Sequence, residues 1–163
     1  INASNNLRTL DTTNKSEVDI TEIIKKKSIN IFEVDFPNNV SGALDMRNPN
    51  NPIIYLNKDH HLHRKRFTLA HELGHFILHH GAFLHLDKNL YFRDNFQNKN
   101  NDLIEIETNE FAANILMPYE LIKSDIINKK DSIDDEEFII QMAEKYNVSQ
   151  IAMTIRIKKI FEE

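Results

Sequence analysis

Residues 67–80 read FTLAHELGHFILHH, a stretch in which histidines recur at positions 71, 75 and 79. A helix has about 3.6 residues per turn, so side chains spaced by four project from the same side. Glu72 lies beside the first of these histidines. Imidazoles and a carboxylate held together near a core cost free energy unless they bind something. The stretch predicts a long helix, residues 58–80, capped by Asn57 and ended by Gly81, with polar groups clustered on one side.

The length and composition are typical of a single globular domain. The 163 residues are 40% hydrophobic and 28% charged, which is sufficient for a single core. Residues 1–15 are polar and rich in asparagine, and we expect a flexible tail there, followed by one domain at 16–163. The net charge of −5 disfavours direct nucleic-acid binding. No apolar run reaches about 18 residues, and no signal pattern opens the sequence, so a cytoplasmic location without membrane contact is the default expectation.

Patterns along the chain predict strands first and helices afterwards. Ser16 and Asp19 can cap a short helix ending near Lys27, and alternating apolar and polar residues predict three strands within 28–57. Residues 81–101 lack a clear period and are predicted to form a long loop. Further helices are predicted at 103–116, 119–128, 133–146 and 149–161, the third of them capped from Ser132 and the last by Ser149. This order predicts an α+β fold with a small antiparallel sheet packed on the long helix and a helical C-terminal half.

The five residues HELGH, 71–75, match the pattern H-E-x-x-H. Histidines one helical turn apart can each place a nitrogen about 2.0–2.1 Å from one Zn²⁺ ion, and the glutamate can act as a base on water. The chain contains no cysteine, so a transition-metal site must use histidine and carboxylate. The motif therefore predicts that His71 and His75 bind zinc and that Glu72 is the general base. A helix with surface histidines is the less favoured alternative, because apolar residues flank the motif.

A catalytic zinc site needs a third protein ligand. In a longer pattern of this kind a histidine follows His75 by six residues, but Gly81 occupies that position. His79 and His80 are expected either to support the ligands or to lie on the surface.

Carboxylates on the next helix are better candidates for the third ligand. Residues 103–118 read LIEIETNEFAANILMP and contain three glutamates. The apolar side of this helix is predicted to consist of Leu103, Ile104, Phe111, Ala112, Ile115 and Leu116. At about 100° per residue, its centre lies roughly 70° from Glu107, roughly 90° from Glu105 and about 130° from Glu110. Glu107 is therefore the predicted ligand, and Glu110 is predicted to be a solvated charge.

The chain contains the runs IYLN, RKRFTLAHELGHFILH, IETNEFAANILMP and MAEKYNVSQIAMTIRIKKI. In their order and approximate spacing, these runs resemble the ImmA/IrrE family of zinc metallopeptidases. The likeness extends over most of residues 16–160. It implies a zincin-like fold with one Zn²⁺ per chain, held by His71, His75 and Glu107, and with Glu72 as the general base. Thr108 stands where the family commonly has alanine, a change that conserves size.

The resemblance also implies a function. Members of the family commonly derepress genes by cleaving a helix-turn-helix repressor, so we expect a zinc endopeptidase of narrow specificity with such a repressor as its partner. In zincins a substrate strand commonly adds to a sheet edge, expected here within residues 41–56. The alternative is a non-proteolytic, zinc-containing regulatory protein that binds a partner regulator or DNA. Glu72 favours the enzyme, because a structural zinc site needs no general base.

Residues 142–160 have the rhythm of a helix-turn-helix, with Asn147 able to adopt the left-handed turn conformation. Arg156, Lys158 and Lys159 on the second helix could then contact DNA. A packed helical hairpin is the preferred interpretation, because isoleucines crowd the second helix and the chain is acidic overall.

Overall fold

The computed structural model describes residues 16–78, 84–88, 99–127 and 135–162, together with residues 3, 6 and 7. Most of the predicted tail at 1–15 lies outside these residues, as do His79, His80, Gly81 and Ser132. The elements in chain order are α1 (Ile20–Lys26), β1 (Asn30–Val34), β2 (Val40–Asp45), β3 (Ile53–Asn57), α2 (Leu62–Leu78), β4 (Leu84–Lys88), α3 (Lys99–Leu116), α4 (Tyr119–Ile126), α5 (Glu136–Tyr146) and α6 (Gln150–Glu162). The predicted α+β fold class is confirmed. No helix in the described part of the chain is long and apolar enough to cross a membrane.

The four strands form one mixed sheet in the order β1-β3-β2-β4. β2 is antiparallel to both of its neighbours, whereas β1 is parallel to β3. The first three strands alternate in direction along the chain, and β3 inserts between β1 and β2, so the two strands of like direction become neighbours. The sheet is therefore mixed where the sequence predicted a purely antiparallel one. β2 and β3 are central strands, so residues 41–56 do not supply the expected edge, and the edges of the described sheet are β1 and β4.

Two glycines allow α2 to approach its neighbours closely. A Cβ atom added to Gly42 on β2 would lie 2.5 Å from Thr68 Cγ2 on α2. A Cβ atom added to Gly74 on α2 would lie 2.9 Å from Thr108 Cγ2 on α3. Both distances are too short for real carbon atoms, so glycine is needed at each position. The result is that α2 is held tightly between the sheet and α3.

Asn57 does not cap the long helix, which begins at Leu62 instead of residue 58. Asn57 is fully buried at the end of β3, and its side-chain nitrogen donates to the carbonyl oxygens of Phe36, Pro37 and Val40. Its side-chain oxygen accepts a hydrogen bond from the backbone of Asp59. The asparagine therefore fixes the connection before β2, and the helix begins about one turn later.

The C-terminal helices pack as the predicted hairpin. Asn147 has φ 50° and ψ 54°, the left-handed conformation predicted for the turn, and Ser149 Oγ accepts the backbone N–H of Ala152 at the start of α6. Arg156 is buried and donates to the Met117 carbonyl oxygen at 2.9 Å and to Asn114 Oδ1 at 2.5 Å. Its guanidinium group thus holds α6 against the end of α3 and does not face a nucleic acid. α5 is capped by Asp135.

Candidate metal centre

Four side chains that can bind a metal converge beside α2. They are His71, His75, His85 and Glu105, and one ligand atom from each lies within 4.8 Å of the others. His71 and His75 come from successive turns of α2, His85 from β4 and Glu105 from α3. His71, His75 and Glu105 are buried, and His85 is partly exposed. The cluster therefore joins two helices and the edge of the sheet.

The local structure explains why these elements meet. The middle of α2, from Thr68 to His75, is buried throughout, so the histidines of the HELGH motif point into the protein. β4 pairs with β2 so that His85 lies opposite Leu44. Leu44 is two residues from Gly42, which approaches Thr68 of α2, so Leu44 and His85 lie on the face of the sheet that packs on α2. Gly74 lets α3 approach α2 and brings Glu105 to the histidines.

The distances within the cluster fit one metal ion. The Nε2 atoms of His71 and His75 are 3.0 Å apart, and each lies 3.5 Å from an oxygen of Glu105. Donor atoms about 2.0–2.1 Å from one tetrahedral ion are separated by about 3.3 Å. The observed separations lie on either side of that value. His71 Nδ1 is 3.0 Å from Asn109 Oδ1, a contact of the kind that fixes the ring of a metal-binding histidine.

Glu72 and His85 form a second set of contacts at the edge of the cluster. Glu72 is fully buried, and its Oε2 lies 3.3 Å from His85 Nδ1. The other ring nitrogen of His85 is 3.0 Å from Glu105 Oε1. His85 thus bridges the predicted general base and the carboxylate of the cluster.

The electrostatics of the cluster keep Glu105 ionised. Burial acts to raise the pKa of Glu105, but the hydrogen bond from His85 and the charges of His71, His85 and His75 lower it to about 2. Burial acts to lower the pKa of His85, whereas hydrogen bonds to Glu105 and Glu72, and their charges, raise it to about 10. Glu105 is therefore in the charged form that binds a cation at neutral pH.

Glu107, the predicted third ligand, is exposed on α3 and is not part of the cluster. The prediction counted Leu103 as part of the buried side of this helix, but that side chain is 60% exposed. Thr108, which the prediction left out, is fully buried. Replacing Leu103 by Thr108 moves the centre of the buried side away from Glu107 and toward Glu105. The structure accordingly places Glu105, and not Glu107, beside the histidines.

His85 was not identified from the sequence. It lies in the segment predicted as a loop, 81–101, of which residues 84–88 form β4. The alternation of leucine with polar residues over 84–87 is the only local signal, and it is too short to distinguish a strand from a loop. β4 forms because it pairs with β2, a contact between distant parts of the chain.

Comparison with known protein families gives a match over most of the chain. The model of peptidase family M78, described as the IrrE N-terminal-like domain, matches residues 24–158. This span is most of the chain and includes Glu72 and all four residues of the cluster. A comparison with curated proteins found no match.

Proposed function

The chain belongs to the peptidase family of the IrrE N-terminal-like domain, and we propose that it is a zinc-dependent endopeptidase of narrow specificity. The family and the metal-binding cluster together support a metallopeptidase. The observation that carries the proposal is the fully buried carboxylate of Glu72 beside that cluster. A site that used metal only to stabilise the fold would have no need for a carboxylate in this position.

We assign His71, His75 and Glu105 as the zinc ligands. Two imidazoles and one carboxylate are a common ligand set of catalytic zinc, which keeps a further position open. The mutual distances of 3.0 and 3.5 Å support this assignment. A bound zinc ion would polarise a peptide carbonyl group and lower the pKa of water.

Glu72 is the proposed general base. Its carboxylate takes a proton from the attacking water and returns it to the leaving amine as the peptide bond breaks. His85 Nδ1, 3.3 Å from Glu72 Oε2, holds that carboxylate in place. His85 is therefore a positioning residue in this proposal.

The substrate strand is proposed to pair with β4. β4 has β2 on one side and is an edge of the described sheet. An extended peptide added to a sheet edge forms main-chain hydrogen bonds, and its side chains alternate between the two faces. Pairing along β4 would bring a peptide bond next to His85 and the cluster. A folded helix cannot pair in this way, so the cleaved segment must be flexible or locally unfolded.

The proposed substrate is a helix-turn-helix repressor whose cleavage derepresses genes, as the family resemblance implies. Two features of α6 support a protein partner over direct action on DNA. Arg156 is buried, and Lys159 forms an ion pair with Glu110. These cations are engaged within the protein, so selection of a promoter would depend on the partner.

The experiment compares metal-loaded wild-type protein with Glu72→Gln. Each is mixed with a candidate helix-turn-helix regulator taken from the neighbouring genes, where the family resemblance implies that the partner is encoded, or with casein, and fragments are followed by mass spectrometry. We expect the wild type to cut the regulator, and the variant to be slower by at least about 10²-fold, because it lacks the base. The metal content and folding of the variant should be unchanged. Efficient digestion of casein with the regulator left intact would contradict the proposed specificity.

A second candidate function is favoured by His85, which supplies a fourth possible ligand. Four protein ligands are typical of structural zinc, and the protein would then act by binding a regulator without cutting it. In that case Glu72→Gln would retain the full biological effect, and His85→Ala would lose metal as completely as His71→Ala. A regulator that is bound by the wild type but never cut would support this candidate.

A further inference from the structure

α5 and α6 line an apolar groove on the protein surface that shares no residue with the metal-binding cluster. Its volume is about 340 Å³, and it is lined by Glu136, Ile139, Gln150, Ile151, Thr154 and Ile155. Ile151 is 74% exposed and Ile155 is 63% exposed, the highest values among large apolar side chains in the described part of the chain. The two isoleucines lie one turn apart on α6 and face the same side.

Folding of the helical hairpin does not account for these isoleucines. The core contacts of α6 are made by Met153, Ile157 and Ile160, which are buried. β-Branched residues are also weaker helix formers than leucine or alanine, so Ile151 and Ile155 do not favour the helix by propensity. Exposed apolar side chains that line a common groove are typical of a binding surface.

The charges around the groove indicate the kind of partner. Asp135, Glu136 and Glu137 at the start of α5 are all exposed, and Glu136 lines the groove itself. Lys158 is exposed one turn beyond Ile155 on α6. The rim therefore has an excess of negative charge, which attracts cationic partners and repels the phosphates of DNA.

We propose that this groove, the α5–α6 groove, docks a cationic amphipathic helix of the protein substrate. An amphipathic helix can place its apolar side on Ile151 and Ile155 and its basic side chains against Glu136 and Glu137. The inference rests on the proposed function for the identity of the partner, because DNA-binding domains carry helices rich in Lys and Arg. Docking away from the metal centre would supply binding energy that a generic unfolded protein cannot supply, and it accounts for narrow specificity.

The first experiment measures binding without catalysis. The probe is a fluorescein-labelled model helix of leucine and lysine with an amphipathic pattern, titrated with the full Glu72→Gln chain and followed by fluorescence anisotropy. We expect this peptide to bind and a leucine–glutamate peptide of the same pattern not to bind. Ile151→Ser with Ile155→Ser should weaken binding at least tenfold. Glu136→Gln with Glu137→Gln should weaken binding and reduce its dependence on salt.

A matched control uses exposed isoleucines outside the groove. Ile106 is 62% exposed and Ile127 is 55% exposed, and Ile106→Ser with Ile127→Ser should leave peptide affinity unchanged. An equal loss of peptide affinity in the control and groove variants, or no loss of affinity in the groove variants, would overturn the proposal. So would light scattering that shows a dimer broken by the groove variants, or duplex DNA binding that depends on Ile151 and Ile155.

A second experiment separates this inference from the proposed activity. The groove variants of the otherwise wild-type chain should cut the intact neighbouring regulator at least tenfold more slowly, yet cut a short unfolded peptide spanning its cleavage site at the wild-type rate. If the groove variants cleave the intact regulator at the wild-type rate, docking in the groove is refuted, and the proposed peptidase activity is not contradicted. Groove-dependent binding of the regulator without any cleavage would retain the groove and refute the peptidase.

Discussion

The Nε2 atoms of His71 and His75 face each other at 3.0 Å, one helical turn apart on α2. Glu105 completes this arrangement from a different helix, with Oε2 3.5 Å from His71 Nε2 and Oε1 3.5 Å from His75 Nε2. Nitrogen and oxygen atoms directed at a common point in a buried region are stabilised by a shared cation. The two histidines therefore need a third ligand. The candidate from the structure is Glu105, and the candidate from the sequence is Glu107 on the same helix.

We predict that Glu105→Gln loses the metal and that Glu107→Gln does not. The wild type should contain about one zinc equivalent per chain after removal of free metal. Glu105→Gln keeps the shape of the side chain but removes the charge that binds the ion, and we expect at least a tenfold loss of affinity. Zinc is measured by elemental analysis and by chelator competition. Full zinc content in Glu105→Gln, with loss in Glu107→Gln, would restore the sequence-based assignment.

His85→Ala should weaken metal binding and slow cleavage without abolishing either. Side chains that orient ligands commonly contribute 10–100-fold to affinity or activity, and His85 lies 3.0 Å from Glu105 Oε1 and 3.3 Å from Glu72 Oε2. The affinity is measured by chelator competition beside His71→Ala, and the rate is measured at saturating metal. His63→Ala, on a partly exposed histidine near the start of α2, is the control. Complete metal loss in His85→Ala would instead indicate a direct ligand.

The sequence predicted the parts of the site that depend on local spacing. His71, Glu72 and His75 lie within five residues of one helix, and the left-handed Asn147 follows from the turn between two recognisable helices. Glu105 and Glu107 are two positions apart and lie on opposite flanks of the apolar side of α3, at similar angles from its centre. Counting Leu103 instead of Thr108 as buried was enough to reverse their order. His85 depends on pairing between β4 and β2, which no short pattern within 84–88 specifies.

Gly74→Ala should separate α2 from α3 and weaken the metal site. The added Cβ would meet Thr108 Cγ2 at 2.9 Å and Phe111 Cδ1 at 3.0 Å. Overpacking typically costs about 1–3 kcal/mol, against a gain of about 1 kcal/mol from replacing glycine in a helix. We therefore expect a net loss of stability in urea unfolding and a lower zinc affinity, because Glu105 moves away from His71 and His75.

Thr108→Ser provides the matched rescue for this variant. Serine removes the Cγ2 atom of the closest contact and keeps the hydroxyl group, which donates to the Ile104 carbonyl oxygen at 2.7 Å in the wild type. The double variant Gly74→Ala with Thr108→Ser should regain part of the lost stability and zinc affinity. If the double variant is no better than Gly74→Ala alone, close contact at Thr108 does not set the spacing of the two helices.

The ion pairs of Glu110 predict a stability difference that depends on pH. Burial acts to raise the pKa of Glu110, but the hydrogen bond and charge of Lys159, the charge of Arg156 and the amide of Asn114 lower it overall. A carboxyl group whose pKa is lowered by folding stabilises the protein when the pH is above the ordinary pKa of that group, here 4.5. That contribution is lost as the pH falls through the folded-state pKa. Glu110, predicted to be a solvated charge, is thus a partly buried contact between α3 and α6.

Glu110→Gln should therefore lower the urea midpoint at about pH 7, and the difference from the wild type should shrink as the pH falls below 4.5, the ordinary pKa of the group. Glutamine keeps the size of the side chain but cannot pair with Lys159 and Arg156 as an anion. Glu144→Gln, at an exposed glutamate on α5, is the control and should change stability by less than about 0.5 kcal/mol at neutral pH. Lys159→Gln removes the other partner and should show the same decline in its effect with falling pH. A difference for Glu110→Gln that stays constant from neutral to acidic pH would show that its charge does not hold α6 against α3.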